Sequence, residues 1–498
     1  MLKKLSNLGI TIFLSLSLVY TSCSSNDNGG TNPIDENHEV TLKIFYTNDE
    51  HGWLEPTETN NGAGGMMTMW KTNQDYQLEG NNLVLSGGDM WTGPAISTWF
   101  KGEPMTEVMD AMGYDAAALG NHEFDFSQDG LRQNLSQMNF PILAANIKST
   151  VTGTYPDFVQ PYIILERAGI KIGIIGLTSS STIAINFPEN VKDLELTSYT
   201  DALNEIVPVV KNQGAELLIL LAHASYVEMV PLKSLIQNLG ISIVGCGHSH
   251  SYYIEETNNF ALFEAKSSML NYAYVEVEYD TLQNTLLGLD AELFDNNISY
   301  TSDPTIQNIV TNWQHQMDNE LAEVIGYTAT GIERSSQEMK NMIADSWLNT
   351  FADATISMSN YGGVRQGIPA GNITKATLVG VLPFDNNIIK LDLTGMQIKS
   401  TISSLGLFVG GLNVRDNYTL DDGSTLNDNT TYTILITDYI YYTDDNLQQY
   451  DSTPELTSMN WRDPVINWIR SLNTSSSDPL ENYLDGTTRQ NYILDNWY

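Results

Sequence analysis

Five short apolar runs, Leu42–Tyr46, Leu83–Leu85, Ile170–Leu177, Leu217–Leu221 and Ile241–Val244, limit the folds open to this chain. Each has strand length, and several are nearly continuous in apolar character, as expected of strands buried on both faces. Such strands need covering layers above and below. Segments of helical character, Glu103–Met112 and Asp201–Gln213, stand between the runs. That alternation predicts a layered α/β domain over residues 40–300. The stretch PTIQNIVTNWQHQMDNELAEVI has helical spacing with many polar residues and reads as a connecting helix, 301–326. A smaller α/β domain, 327–498, follows with its own helices and strands. No repeat at a solenoid period is visible.

Charge restricts the partners. Sixty acidic residues face 23 basic ones in 498, a formal net charge of −37. A surface of this sign repels nucleic-acid backbones and anionic membranes, so no nucleic-acid partner is expected. The first 22 residues read as an export signal. Lys3 and Lys4 precede the apolar run Leu8 to Tyr20, which is too short and serine-rich to span a bilayer. Cys23 follows in YTSCSSNDNGG and resembles the lipidated cysteine of a bacterial lipoprotein. A plain secretory signal with an incidental cysteine is the alternative. Residues 23–39 form a polar tether. The expectation is an exported protein held at the outer membrane through its lipid alone. Cys246, the other cysteine, reads as a small buried residue, and lipid on Cys23 would leave no intramolecular disulfide.

Four of the strand-like runs lead into residues of ligand type: TNDEHG with Asp49 and His51, SGGDMWTG with Asp89, AHAS with His223, and GCGHSH with His248 and His250. ALGNHEFD, behind Ala116–Leu119, adds Asn121, His122 and Asp125. Five of the chain's seven histidines fall in these motifs. Strand ends in layered α/β sheets form the crevice where ligands bind, so these groups are expected to converge. Carboxylates and imidazoles together suit zinc, manganese or similar divalent ions. Between Thr41 and Gly130 the only basic residues are Lys43, Lys71 and Lys101, which leaves metal ions as the main local positive charge for a phosphate.

As a set, these motifs resemble the metallophosphatase domain of the 5′-nucleotidase family. RSSQEMKNMIADS, NYGGVRQGIPAGNIT and LPFDNNIIKLDLTG resemble that family's C-terminal domain, and the likeness spans Val40 to Asp451. It implies a β-sandwich flanked by helices, joined by a helix to a substrate-binding domain. It implies two divalent metal ions, one held by Asp49, His51 and His250, the other by Asn121, His223 and His248, with Asp89 bridging. His122 and Asp125 would be the catalytic dyad, a third metal ligand being the alternative for His122. Arg334, Asn360 and Arg365 would contact substrate, and Phe384 and Tyr439 would sandwich a base. For Tyr439, core packing is the competing role. The implied activity is release of phosphate from extracellular nucleotides by two-metal, in-line hydroxide attack, with the chain acting as a monomer. A nucleotide-sugar or cyclic-nucleotide hydrolase, or a nucleotide-binding surface lipoprotein without turnover, stand as alternatives. The family usually carries Gly-Gly-Asp-Gly just after the second aromatic, whereas this chain reads Thr443-Asp444-Asp445-Asn446. Glycines permit backbone angles that larger residues resist, so a different loop and weaker choice between bases are expected.

Cys23→Ala is expected to abolish lipid modification, seen as an altered mature mass and loss of detergent partitioning. Unchanged mass and partitioning would contradict the lipoprotein reading.

Overall fold

The computed structural model describes residues 38–490; the export signal and Cys23 lie outside the described residues, as does most of the tether. Two six-stranded sheets form the first domain. In one, the strands Glu39–Thr47, Asn82–Ser86 and Ala116–Ala118 run parallel, and Asn271–Asp280 pairs antiparallel with the first of them. In the other, Ile170–Leu177, Leu217–Ala222 and Ile243–Cys246 are parallel neighbours.

The period-two geometry of a strand explains why these sequences pack as they do. In the wholly buried strand Leu217–Ala222, the residues Leu217, Ile219 and Leu221 enter the core between the sheets. Leu218, Leu220 and Ala222 enter a second core with Leu203, Ile206 and Val210 of the helix Tyr199–Asn212. The inter-sheet core also takes Leu42, Ile44 and Tyr46 from one sheet and Ile172, Ile174 and Ile243 from the other. Phe45 faces the opposite way, against Trp70 and the methionines of the helices Gly62–Asn73 and Glu103–Met112. The sandwich is thus covered on both outer faces, as the continuous apolar runs require.

The connecting helix is Pro304–Leu321. Asp303 caps it by accepting from the backbone N–H groups of Thr305 (2.9 Å) and Ile306 (3.3 Å), and Pro304 occupies the first turn, where its missing donor costs nothing. Ile306, Val310, Met317 and Leu321 pack into the first domain's core, together with Val379 from beyond the helix. The second domain is built on a five-stranded sheet containing Ile356–Ser359, Thr431–Thr437 and Asn387–Thr394. Ile434 and Ile436 pack on one face, Leu435 on the other with Trp347 and Trp461.

Element ends differ slightly from the periodicity reading. The first strand begins at Glu39, inside the expected tether, and a predicted strand at Ile241–Val244 is instead Ile243–Cys246. Val324–Thr328, taken in part as connecting helix, is a strand paired with Gly371–Thr374. Its alternation is too short to stand out from the end of a helix.

Truncating Ile219, fully buried between the sheets, to Ala should lower unfolding stability by about 2–5 kcal/mol. The check is the shift in the denaturant midpoint of the first domain's transition.

Candidate active site

All five motif-bearing strands deliver their residues at one end of the sandwich. Glu39–Thr47 runs into Asn48 to His51, Asn82–Ser86 into Asp89, and Ala116–Ala118 into Asn121 and His122. From the facing sheet, Leu217–Ala222 ends on His223 and Ile243–Cys246 leads to His248 and His250. Parallel pairing within each sheet aims the carboxyl ends of the strands the same way.

The seven expected ligands meet there. Asp49 Oδ1 lies 3.4 Å from His250 Nε2 and 4.0 Å from His51 Nε2, and those two ring nitrogens are 3.1 Å apart. Asp89 Oδ2 is 3.2 Å from His223 Nε2, which is itself 3.2 Å from Asn121 Oδ1. Donor atoms within 4.8 Å of one another group as Asp49–His51–His250 and as Asp89–His223–His248; a third group joins Asp89 to His51 and His122. Asp89 therefore faces histidines from both ends of the cluster, where a bridging carboxylate would stand.

Convergence this tight strains the backbone. Asp49 (φ 51°), His51 (47°), Asp89 (60°), His248 (74°) and His250 (54°) all take left-handed conformations. Such angles are uncommon outside glycine and cost roughly 1–2 kcal/mol per residue. Buried carboxylates hold the turns in place. Glu123 accepts the backbone N–H groups of Asp89 (3.0 Å), Met90 (2.7 Å) and Gly120 (2.7 Å). Glu264 accepts from Ser249 Oγ (2.8 Å), Ser251 N (2.8 Å) and Tyr226 N (3.1 Å), joining the histidine loop to the turn after His223. Glu50 accepts from Ser86 Oγ (2.8 Å) and from the Thr47 hydroxyl, tying two strand ends together. Asn48 donates to Asp49 Oδ2 (2.6 Å), and Asp49 accepts the backbone N–H of His248 (2.9 Å). At Gly120 a Cβ would fall 2.1 Å from Asp89 Oδ1, so no larger residue fits.

The donor chemistry fits divalent cations. His51 Nδ1 donates to the Thr92 carbonyl (3.0 Å) and His223 Nδ1 to the Gly87 carbonyl (2.8 Å), which turns both Nε2 atoms toward the carboxylates. Second bonds of this kind orient metal-binding imidazoles. Burial opposes a charge on His223, but Asp89 and Asp49 outweigh it and lift its pKa to about 10. Burial and the charge on His223 push His248 down to about 4. A pocket that draws a proton this strongly at one imidazole is short of positive charge, and the ligand set is of the kind that holds zinc or manganese.

His122 stands beside the cluster. Its Nδ1 is 2.8 Å from Asp125 Oδ2, and its ring stacks on Phe384 of the second domain, 5.7 Å between centroids at 21°. Burial works against its protonation, yet Asp125 and Asp89 prevail and raise its pKa. Arg365 reaches across from the second domain, its guanidinium 3.4 Å from His51 Nε2. A cavity of about 360 Å³ opens from His122, Asn121 and Arg365 to Asn360, Phe384 and Tyr439. Arg334 is not among its lining residues. It donates to the Val364 carbonyl (2.7 Å) and covers the Tyr361 ring, one layer behind Arg365.

The stretch Thr443–Asn446 needs no glycine. Asp444, in extended conformation, caps the helix Asp445–Tyr450 by accepting from Leu447 N (2.9 Å), and none of the four residues has a positive φ. A helix start replaces the glycine-rich turn expected from the family.

Sequence reasoning missed the carboxylate clamps and part of the cavity wall. Glu50 and Glu123 lie inside the motifs, and Glu264 is the one charge in the apolar strand Phe260–Ala265, which was a usable signal. Phe126, Ile185, Asn186 and Phe187 of the first domain also line the cavity. They sit in irregular loops, where no periodicity marks them.

Comparison with known proteins agrees with this geometry. Residues 42–252 match the model of the calcineurin-like phosphoesterases, and residues 320–452 match that of the 5′-nucleotidase C-terminal domain. Human 5′-nucleotidase is 28% identical over 439 residues, 75% of each chain. An endonuclease of Bacillus subtilis is 24% identical over 453 residues, 80% of this chain, which spans 37% of that protein's length. The crystal structure of a 5′-nucleotidase precursor from Thermus thermophilus superposes with a TM-score of 0.76, covering 90% of this chain and 99% of that one at 21% identity. Fold and site define a calcineurin-like phosphoesterase. More narrowly, the chain belongs to the 5′-nucleotidase family, and it is a phosphoric monoester hydrolase.

Asp89→Asn is expected to abolish turnover and lower the content of divalent metal, since a neutral amide is a poor ligand for a cation. Wild-type metal content by mass spectrometry would exclude the bridging role.

Proposed function

We propose that this protein hydrolyses nucleotides to nucleoside and phosphate, with Asp49, His51 and His250 holding one divalent ion, Asn121, His223 and His248 a second, and Asp89 shared between them. The observation that carries this reading is one cavity, lined by Asn121, His122 and Arg365 beside the ligand cluster and by Phe384, Asn360 and Tyr439 of the second domain. Cations and His122 suit a phosphate there, and the aromatic rings suit a base. When bound, two divalent ions supply Lewis acidity and an activated water for in-line attack at phosphorus.

The chain's own residues do the rest. His122, whose protonated form Asp125 and Asp89 favour against its burial, is placed to offer Nε2–H to a phosphoryl oxygen as charge gathers in the transition state. Asp125 fixes the ring by accepting from Nδ1. Arg365 offsets negative charge from the second-domain side. Phe384 backs His122 on one face and presents its ring to the cavity, where a base can stack. Asn360, buried at the cavity wall, has a side-chain oxygen with no hydrogen-bond partner among the described residues, a position suited to a base or ribose donor. The expected location is outside the cytoplasm, on a lipid anchor at Cys23.

His122→Ala should keep both metals and lose roughly a hundredfold or more in turnover, the scale of one lost charge-stabilising donor. Loss of a metal would instead make His122 a ligand. The substrate reading is tested by phosphate release from AMP, ADP, ATP, UDP-glucose, 2′,3′-cyclic AMP and an aryl phosphate, before and after chelation and metal add-back. Faster turnover of UDP-glucose or the cyclic nucleotide than of any nucleoside monophosphate would overturn it.

A further inference from the structure

One wall of the cavity is assembled from both domains. Between the strand Ile170–Leu177 and the strand Leu194–Leu196, the first domain runs through a segment with neither helix nor strand. Its start is fixed by a reciprocal pair: Asn146 Nδ2 donates to the Thr178 carbonyl (2.8 Å) and Thr178 N–H donates back to Asn146 Oδ1 (2.9 Å). Farther on, the side chain of Asn186 is buried. Its Nδ2 donates to the Thr182 carbonyl (2.8 Å) and to the backbone carbonyl of Asn121 (3.1 Å), one of the expected metal ligands.

The residues on either side of Asn186 face the other domain. Ile185 accepts, on its backbone carbonyl, the hydroxyl of Tyr439 at 2.8 Å. The Phe187 ring meets the edge of Tyr442, 5.4 Å between centroids at 77°. Ile185, Asn186, Phe187 and Tyr439 all line the cavity. Burial keeps the Tyr439 phenol protonated far above neutrality, so its hydroxyl is a standing donor to that carbonyl. A phenylalanine would supply the same ring face with no such tie.

We propose that Tyr439 is a positioning residue whose hydroxyl, through Ile185 and Asn186, sets the base-binding wall of the second domain in register with the metal centre of the first. The route is short and continuous: Tyr439 Oη to the Ile185 carbonyl, one peptide to Asn186, then Asn186 Nδ2 to the main chain of Asn121. A base resting against the Tyr439 ring thereby holds its phosphate at a distance fixed by the first domain. The inference rests on the nucleotide reading above and adds to it a residue specific for substrates that carry a base.

The test is Tyr439→Phe, which keeps ring and volume and removes one hydrogen bond, an interaction of modest net worth. Wild type and variant are compared on AMP and on an aryl phosphate, and adenosine binding to the metal-free protein is measured by calorimetry. The expected result is a three- to tenfold fall in the ratio of kcat/KM for AMP to that for the aryl phosphate, carried by KM for AMP. Adenosine should bind three- to tenfold more weakly, with metal content and thermal unfolding as in wild type. An unchanged ratio with unchanged adenosine affinity overturns the proposal, and so does an equal loss on both substrates, which would mark a general packing defect. If wild-type protein itself turns over AMP no better than the aryl phosphate, the nucleotide reading fails first and this inference with it.

Discussion

Two carboxylates, Asp49 and Asp89, are buried at the ends of neighbouring parallel strands, and the surroundings are organised around the charge they carry. Burying an anion is costly unless it is paired or hydrogen-bonded. Here the answer is given by histidines from the facing sheet and by backbone N–H groups. Asp89 and Asp49 favour a protonated His223 in spite of its burial. The sandwich therefore does more than support the site: its two sheets supply opposite halves of one electrostatic arrangement. This explains why the strands beneath are apolar on both faces. A stiff, doubly covered sheet is what holds charged turns at fixed separation.

Much of this was legible in the residues themselves. Continuous apolar runs foretold strands with two covered faces, and Leu217–Ala222 divides its side chains between two cores as such a run must. The helix Glu103–Met112 has the ends its pattern predicted. Candidate ligand residues could be picked out because each motif follows directly on a strand, so a local signal carries the tertiary placement with it. The tie between Tyr439 and Ile185 could not be read this way, because it joins residues 254 apart through a carbonyl, which has no sequence signature. Arg334 was placed by its motif alone. Its side chain donates to the Val364 carbonyl and covers the Tyr361 ring, while Arg365 lines the cavity.

The stretch Thr443–Asn446 shows how a departure from a family pattern can be absorbed. Glycines serve where a turn demands left-handed angles. This chain instead goes from one short helix, Asp438–Thr443, into the next through Asp444, whose side chain caps the second. An aspartate at an N-cap satisfies a backbone donor that a glycine would leave to solvent. What changes is the material beside the cavity, a capped helix in place of a pliable turn, while Tyr439 still lines it.

The left-handed angles at Asp49, His51, Asp89, His248 and His250 have a bearing on how this protein can vary over time. Of the residues other than glycine, asparagine, aspartate and histidine enter that region most readily. Backbone and ligand chemistry therefore select from nearly the same short alphabet at all five positions. Isoleucine, valine or threonine there would be penalised even in a variant that had given up metal altogether. A descendant freed from catalysis should keep Asp, Asn, His or Gly at these positions long after the need for a metal has gone, so the motif can outlive the activity it serves.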